Sequence, residues 1–386
     1  MDLFLDIHEA SLNKRNETLC GDQVRVLRGE DKTIVVLSDG LGSGVKANIL
    51  ATLTSSILIT MLGKNVPLEE VIKTVIGTLP TCKVRNIAYA TFTIIQVDHR
   101  DNSFEVFNFD NPPVFHVRRG HIQMPHQTVV EMQGRRVTTV QGTLELGDFL
   151  GAVSDGVLYA GMGVAMNFGW GWSSIAKHLE AGFRTKYRSA REIVTDVIGE
   201  TNTLYRGEIG DDATFVGLYV REEKALILFT GPPLDKEKDE SFAKRVLDFP
   251  GVKVVCGGTT SNIVASYVGQ VIETDLGSLR PDVPPIGRLD GIDLMTEGIL
   301  TMSRAMDLLR ECEGNVGMLP RDRNGAVMLA SELLRADHIF FLVGQQINEF
   351  YQNPLLPRSI SIRKHLIQEM ADFLLAQRKE VTVEYC

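Results

Sequence analysis

Sequence patterns within the 386 residues predict an α+β domain over residues 1–222, followed by a smaller α/β domain over residues 223–386. In the first part, short apolar runs joined by polar turns are typical of antiparallel strands. Consecutive helical segments interrupt these runs, a grouping that favours an α+β architecture. After residue 222, strands alternate with helices, which is the pattern of a parallel sheet covered by helices.

The first 79 residues are predicted to contain three strands and two helices. Residues 2–8 form an apolar run, and residues 23–27 and 33–37 are two further runs separated by a polar turn, which indicates a hairpin. Residues 45–62 are mostly apolar and are predicted to be helical. Residues 67–79 carry apolar side chains at helical spacing and begin with a proline, which is favoured in the first turn of a helix.

The rest of the first domain shows the same alternation of apolar runs and polar turns. The polar residues 98–102 separate two apolar runs and indicate a further hairpin. Two later segments form a second pair of predicted helices. The predicted strands are 88–97, 103–109, 114–117, 135–146, 149–153 and 214–220, and the predicted helices are 172–180 and 190–205.

The second domain contains a turn, residues 257–262, that joins a strand to a predicted helix. Its glycine pair and hydroxyl residues can bind an anion through backbone N–H groups and the helix dipole. The same residues can instead simply cap the helix, and the sequence leaves both alternatives open. The predicted strands are 225–229, 252–256, 339–343 and 381–384, and the predicted helices are 236–247, 293–312, 324–336 and 359–378.

Composition narrows the class of protein. The net charge of −9 disfavours a general nucleic-acid binder or a protein that binds anionic membranes. The five cysteines are scattered without metal-type spacing, which indicates reduced thiols in a cytoplasmic protein. The N-terminus has no basic flank and does not resemble a signal peptide. The longest apolar segment, residues 49–62, is shorter than the roughly 20 residues of a membrane span.

The stretch VVLSDGLGSGVKA, residues 35–47, combines an apolar strand with a glycine-rich turn. Residues 42–47 fit the GxGxxG/A pattern of a dinucleotide-binding loop. However, the acid expected about 20 residues further on is missing, and Asp39 would place a negative charge beside the pyrophosphate. The stretch also lacks the Gly-Lys-Ser/Thr of a P-loop. These features favour a carboxylate at a strand end over a phosphate-binding loop.

Four aspartates are predicted to converge at one edge of the sheets. Asp39 and Asp155 each end an apolar run within a Ser-Asp-Gly sequence, whereas Asp22 and Asp211 each precede a strand. In antiparallel neighbours, the start of one strand lies beside the end of the next. Clustered carboxylates repel one another unless a cation lies between them, and oxygen ligands suit magnesium or manganese. The alternative is that each Asp-Gly pair is only a turn.

An ordered set of motifs carries a resemblance to a known family. The chain contains GDQV, VVLSDGLGSGVKA, FDNPPVFHVRRG, LGAVSDGV and GDDATFVGLYV within residues 15–221. This order resembles metal-dependent protein serine/threonine phosphatases of the protein phosphatase 2C superfamily, and in particular the stage II sporulation protein E branch, whose substrates are phosphorylated anti-anti-sigma factors. The resemblance implies a β-sandwich with flanking helices.

The resemblance also implies a site for two metal ions. Asp39 would bridge the two ions and Gly40 would contribute its backbone carbonyl. Asp212 stands where many relatives have Asn. The family's phosphate-binding arginine has no clear counterpart, because Lys14 and Arg15 also fit a solvated loop. The implied metal ligands are Asp22, Asp39, Gly40, Asp155, Asp211 and Asp212, of which Asp39, Asp155 and Asp211 would be catalytic.

The activity implied is hydrolysis of phosphoserine or phosphothreonine on a partner protein by water that two Mn²⁺ or Mg²⁺ ions activate. The expected substrate is a phosphorylated protein of the anti-anti-sigma type, acting in bacterial signalling, and no nucleic acid or membrane is expected as a partner. Residues 223–386 are expected to have a regulatory role, and a homodimer stays open. The alternative function is a non-catalytic scaffold that keeps the phosphatase fold, although such a scaffold need not keep all four acids.

Overall fold

The computed structural model describes residues 3–78, 90–124, 126–132, 134–163, 166–346 and 359–386. The predicted element ends at residues 2, 79, 88 and 89 lie outside the described residues, as does Cys82. The chain divides into two compact units, Met1–Glu222 and Glu223–Cys386.

Two antiparallel sheets form the first unit. The five-stranded sheet has the order β1 (Leu3–Leu12), β11 (Ala213–Glu222), β10 (Phe149–Val153), β6 (Phe115–Arg118), β7 (His121–Gln123). The six-stranded sheet has the order β2 (Asp22–Arg28), β3 (Lys32–Gly40), β4 (Ala90–Asp98), β5 (Ser103–Phe109), β9 (Arg135–Thr143), β8 (Gln127–Met132).

The two sheets of the first unit pack face to face. Val35 and Leu37, two positions apart in β3, are buried in the same apolar cluster as Leu218 and Val220 of β11. This alternation follows from the period of two along a strand, which sends one set of side chains to each face. The shared cluster makes the unit a β-sandwich with an apolar interior.

Helices cover the outer faces of the sandwich. The helices α1 (Gly44–Gly63) and α2 (Leu68–Thr78) pack on the six-stranded sheet. The helices α4 (Trp172–Thr185) and α5 (Ala190–Tyr205) pack on the five-stranded sheet, and the single turn α3 (Asp155–Leu158) follows β10. The predicted α+β sandwich with flanking helices is therefore confirmed.

The first helix is longer than the apolar segment predicted from the sequence. It has 20 residues and is apolar enough to cross a membrane by length and composition alone. Its buried side, which includes Ala47, Ala51 and Leu58, packs beside the six-stranded sheet. Core helices of folded proteins pass the same test of length and composition, and one side of this helix packs on the sheet whereas Val45, Ile49 and Leu53 are exposed.

The second unit is an α/β fold. Its seven-stranded sheet has the order β14 (Glu273–Asp275), β15 (Ile286–Arg288), β16 (Leu294–Thr296), β13 (Val252–Cys256), β12 (Ala225–Thr230), β17 (His338–Val343), β18 (Glu380–Tyr385). The strands from β16 to β18 in this order pair in parallel. The helices are α6 (Asp239–Leu247), α7 (Gly258–Val268), α8 (Ile299–Glu311), α9 (Gly325–Arg335) and α10 (Ser359–Ala376).

Some element boundaries differ from the prediction. The predicted helix over residues 293–312 begins instead as the strand β16, because Leu294–Thr296 pairs with β13, and the helix starts only after Gly298. The helix α7 begins at Gly258, so the hydroxyl residues of the predicted turn lie within its first turn. The short strands β7, β8, β14 and β15 were not predicted, because runs of three to six residues carry little periodicity.

Candidate metal centre

Asp22 and Asp39 face each other across the first hairpin. Asp22 begins β2 and Asp39 lies one residue before the end of β3, and the two are direct partners in the antiparallel register. Directly opposed residues have their Cβ atoms about 4.5–5.5 Å apart. Asp39 is also two residues from Leu37, so its side chain is on the interior face of the six-stranded sheet.

Asp155 and Asp211 lie at the same end of the five-stranded sheet. Asp155 is the first residue of α3, directly after β10, and Asp211 precedes β11 by two residues. The strands β10 and β11 are antiparallel neighbours, and the Ser154 N–H donates to the Thr214 carbonyl at 3.0 Å. The end of β10 and the start of β11 are thereby held side by side.

Ser154 links the two pairs of acids across the sandwich. Its hydroxyl donates to Asp22 Oδ2 at 2.7 Å and accepts a hydrogen bond from the Thr214 backbone N–H at 2.9 Å. No sequence pattern marked Ser154 as a functional residue, although serine precedes the aspartate in both Ser-Asp-Gly motifs. Ser154 therefore places an acid of the six-stranded sheet against the edge of the five-stranded sheet.

Asp212 is buried beside the same edge. Its Oδ1 accepts a hydrogen bond from the Lys14 backbone N–H at 3.0 Å, and Oδ2 is buried without a hydrogen-bond partner among the described residues. A Cβ atom on Gly21 would lie 2.8 Å from Asp212 Oδ2, so the glycine leaves room for this carboxylate. The structure thus brings Asp212 to the other predicted acids.

Burial and neighbouring charges raise the pKa of three of the acids. Burial, followed by the charges of Asp22, Asp155, Asp211 and Asp212, raises the pKa of Asp39 to about 9. Burial raises the pKa of Asp22 to about 6 against the effect of its hydrogen bonds. Burial and the charge of Asp211 also raise the pKa of Asp155. All five carboxylates therefore lie within electrostatic reach at one rim of the sandwich, which we call the acid rim.

The acid rim fits hard divalent cations. Asp22 Oδ1 and Asp212 Oδ2 are buried without hydrogen-bond partners among the described residues, and such oxygens are costly to bury unless a cation or donor meets them. The candidate donors are all oxygens, which suits magnesium or manganese. Cys20 is adjacent, but burial followed by the charge of Asp22 raises its pKa to about 12, so it is a neutral thiol.

The side chains of the acid rim do not bring three donor atoms from different residues within 4.8 Å of one another. Among the described residues, three potential ligands with donor atoms all within 4.8 Å of one another occur only at Glu223, His338 and Glu380, in the second unit. Both of those glutamates are exposed, and acidic groups at a surface are common without an ion. Two ions lie about 3.5–4 Å apart in two-metal sites, so a two-ion site accommodates the wider spacing of the rim.

The basic side chain of Lys14 reaches the acid rim. Lys14 Nζ lies 3.6 Å from Asp211 Oδ1, and both side chains are partly exposed. Arg15, the other predicted candidate, forms an ion pair with Glu208 instead. The structure therefore distinguishes two neighbours that the sequence left equivalent.

The glycines of both Ser-Asp-Gly motifs permit close backbone contacts. A Cβ on Gly40 would lie 2.1 Å from the Ala47 carbonyl oxygen in α1, and a Cβ on Gly156 would lie 2.1 Å from the Asp212 carbonyl oxygen. Tyr205 of α5 donates to the Gly156 carbonyl at 2.7 Å. The glycine pattern therefore brings helices and strands close to the acid rim.

A further missed residue holds the start of α1. Ser43 donates to Glu17 Oε1 at 3.0 Å, and a Cβ on Gly44 would lie 2.2 Å from Glu17 Oε2. A carboxylate at a helix N-terminus is favoured by the helix dipole, and α1 has no acid in its own first turn. Glu17 lies in a loop without periodicity, so no sequence pattern marks it.

The architecture and the acid rim together define a class of protein. A two-sheet sandwich between two helix pairs, with aspartates at the strand ends of one rim, is the fold of the protein phosphatase 2C superfamily. Residues 29–221, half of the chain, match the family described as stage II sporulation protein E (SpoIIE). The chain belongs to this family, and a comparison with curated proteins found no match.

Solved structures with a similar fold include several phosphatase domains. One is the PP2C phosphatase domain with a fragment of the regulatory domain of SpoIIE from Bacillus subtilis, which is 20% identical with a TM-score of 0.48. The matched region covers 57% of this chain and 62% of that structure's chain. The RsbU and RsbW domains of a Mycobacterium tuberculosis protein are 16% identical, with 64% and 70% covered and a TM-score of 0.47. RsbX in complex with magnesium is 18% identical, with 56% and 99% covered and a TM-score of 0.41.

Proposed function

We propose that the Met1–Glu222 unit is a metal-dependent protein serine/threonine phosphatase that hydrolyses phosphoserine or phosphothreonine on a partner protein of the anti-anti-sigma type. Membership of the SpoIIE family supports phosphatase chemistry. The single observation that carries the metal dependence is the acid rim, where burial and four neighbouring acids raise the pKa of Asp39 to about 9. Such a cluster is stable in its charged form only with cations.

The chain offers a defined set of groups to two Mn²⁺ or Mg²⁺ ions. When bound, the ions supply an activated water and offset the charge on the phosphoryl oxygens. Asp39 would be the central ligand, because its pKa is raised by the charges of all four other acids. Ser154 would orient Asp22 through its hydrogen bond. The proposed ligands are Asp22, Asp39, the Gly40 carbonyl, Asp155, Asp211 and Asp212.

Lys14 is proposed to orient the substrate phosphate. Its ammonium is partly exposed, and its Nζ lies 3.6 Å from Asp211 Oδ1. A flexible, hydrated ammonium at this position can leave the Asp211 carboxylate and bind a phosphoryl oxygen instead. The backbone of Lys14 is held by its N–H bond to Asp212, which keeps the side chain at the rim.

The test is phosphate release by the full chain from p-nitrophenyl phosphate and from a phosphoserine protein, with Mn²⁺ or with EDTA. EDTA should abolish turnover, and Asp39→Asn should lower it by at least about a hundredfold, the loss that follows from misplacing reacting groups by about 1 Å. Asp98→Asn removes the same charge from the partly exposed last residue of β4 and should leave turnover unchanged.

Undiminished turnover in EDTA or in Asp39→Asn would contradict the proposal. If the chain binds Mn²⁺ but releases no phosphate from any phosphoserine protein, the scaffold alternative replaces it.

A further inference from the structure

A groove opens beside the loop that follows β5 in the first unit. Its cavity volume is about 310 Å³, and its lining is mixed, with polar side chains above a floor of valines. The polar lining residues used below are Asp110, Asn111, Arg136 and Thr138.

The strand register places this lining on the interior face of the six-stranded sheet. Val140 and Val106 are paired across β9 and β5, and both belong to the apolar interior of the sandwich. Thr138 and Arg136 follow Val140 at steps of two, so they share its face. Val140 is buried whereas Arg136 is exposed. The interior face of the six-stranded sheet is therefore exposed to solvent near Arg136, and the groove lies on this exposed part of the face.

The groove and the acid rim lie along the same edge of the sheet. Asp39 is paired with Thr91 of β4, and Thr91 donates a hydrogen bond to Asn111, which lines the groove. Three strand spacings of about 4.8 Å separate β3 from β9, so Arg136 lies roughly 14 Å along the edge from Asp39. An extended chain advances about 3.3 Å per residue, so four residues span this distance.

The guanidinium of Arg136 has no partner among the described residues. It makes no hydrogen bond or ion pair with any residue in the described part of the chain, including its cross-strand partner Glu131 and the groove residue Asp110. A guanidinium presents five N–H donors in a fork that matches a carboxylate. In a groove that lies along the same edge of the sheet as the acid rim, this group can bind an acidic side chain.

We propose that the groove binds the segment of the phosphoprotein substrate that flanks the phosphorylated residue, and that Arg136 pairs with an acidic residue about four positions from it. The proposal rests on the proposed phosphatase function and adds a sequence preference to it. Asn111 forms the wall between the acid rim and the groove, because its side chain is bonded to both Thr91 and Thr93. Arg136 is then a specificity-determining residue.

The test uses the full chain with Mn²⁺ and synthetic phosphoserine peptides of alanine and glycine. A single glutamate is moved through every position from five before to five after the phosphoserine. One position about four residues away should raise kcat/KM about threefold through a lower KM, the size of an exposed ion pair. Arg136→Ala should remove this preference, and Arg136→Glu should transfer it to lysine at the same position.

Two controls isolate the groove. Arg135→Ala removes a neighbouring arginine on the opposite face of β9 and should keep the preference for glutamate. The turnover of p-nitrophenyl phosphate, which has no flanking segment, should be unchanged in Arg136→Ala.

The outcomes separate this proposal from the proposed function. A wild-type chain that hydrolyses p-nitrophenyl phosphate with Mn²⁺ but shows no positional preference, or a preference that survives Arg136→Ala, overturns the groove proposal alone. Loss of p-nitrophenyl phosphate turnover in Arg136→Ala also overturns it. A wild-type chain without metal-dependent hydrolysis of any of these substrates overturns both.

Discussion

The hydroxyl of Ser154 donates a hydrogen bond to Asp22, with 2.7 Å between Oγ and Oδ2. This bond joins the end of β10 in the five-stranded sheet to the start of β2 in the six-stranded sheet. Ser154 is fully buried and Asp22 is nearly so. The geometry of the acid rim therefore depends on how the two sheets are connected, as well as on the aspartates themselves.

Removing this hydroxyl should weaken metal binding. Ser154→Ala removes the hydrogen bond that orients the Asp22 carboxylate. Loss of such a supporting contact typically costs 10- to 100-fold in metal affinity. We expect a fall of about tenfold in Mn²⁺ affinity by calorimetry, with the chain still folded by circular dichroism. The matched control is Ser38→Ala, because Ser38 is equally buried and its hydroxyl has no partner among the described residues. Equal affinities of the two variants would contradict the assigned role of Ser154.

Metal affinity should rise with pH. Burial raises the pKa of Asp22 to about 6 and, with the neighbouring acids, that of Asp39 to about 9. Below these values the carboxyl groups hold protons that a metal must displace, so binding releases protons and becomes tighter as the pH rises from about 6 to 9. Calorimetric titration with Mg²⁺ in buffers of different ionisation enthalpy measures both effects. An affinity that stays constant over this range, without proton release, would contradict the cluster.

A methyl group on Gly40 should displace α1. Its Cβ would lie 2.1 Å from the Ala47 carbonyl oxygen, and forcing such a contact costs about 1–3 kcal/mol. Gly40→Ala should lower the unfolding midpoint and reduce turnover, as measured by denaturant titration and phosphate release. Gly199→Ala is the control, because Gly199 lies within α5 with open space around it. That variant should gain up to about 1 kcal/mol from helix propensity, and a loss of equal size in both variants would refute the close contact.

Asp148 should stabilise the five-stranded sheet at neutral pH. It is almost fully buried and accepts hydrogen bonds from Arg118 and from the Glu145 N–H. Burial opposes its ionisation, but the neighbouring His116 and Arg118 outweigh burial and hold its pKa below the usual value. Removing one partner of a buried ion pair costs about 3 kcal/mol, so Asp148→Asn should lower the free energy of unfolding by about that amount at pH 7.

The pH dependence follows from the sign of the shift. Because the pKa is lower in the folded state, the stabilisation by Asp148 is present above the ordinary pKa near 4 and is lost as the pH falls below it. The difference between wild type and Asp148→Asn should therefore shrink in acid. Asp98→Asn, at an exposed pair with Arg100, should change stability little at any pH. A difference for Asp148→Asn that is no larger than the Asp98→Asn control would contradict the buried pair.

The sequence predicted the parts of the site that depend on local patterns. The polar turn between β2 and β3 sets the hairpin register, so the proximity of Asp22 and Asp39 followed from strand polarity alone. The approach of Asp155 and Asp211 needed the assumption that β10 and β11 pair, which the structure shows. The metal-binding and catalytic roles of these residues stay predictions, as does the regulatory role of residues 223–386.

Other parts of the site depend on contacts between distant segments. Ser154 reaches Asp22 across 132 positions of the chain, and Lys14 meets Asp211 from the opposite end of the unit. No periodicity or spacing encodes such contacts, because they arise when the two sheets pack. The groove beside Arg136 was also missed, because it depends on β8, a short strand that carries little periodicity.

The most direct test of the account is an anomalous difference map of crystals of the full chain grown with Mn²⁺. We predict two peaks beside Asp39, with Asp22, Asp155, Asp211 and the Gly40 carbonyl within reach of one or the other. The same crystals of Asp39→Asn should lose at least one of the peaks. A map with no peak at the acid rim, while Mn²⁺ occupies another site such as Glu223, His338 and Glu380, would contradict the central claim that these aspartates form a metal centre.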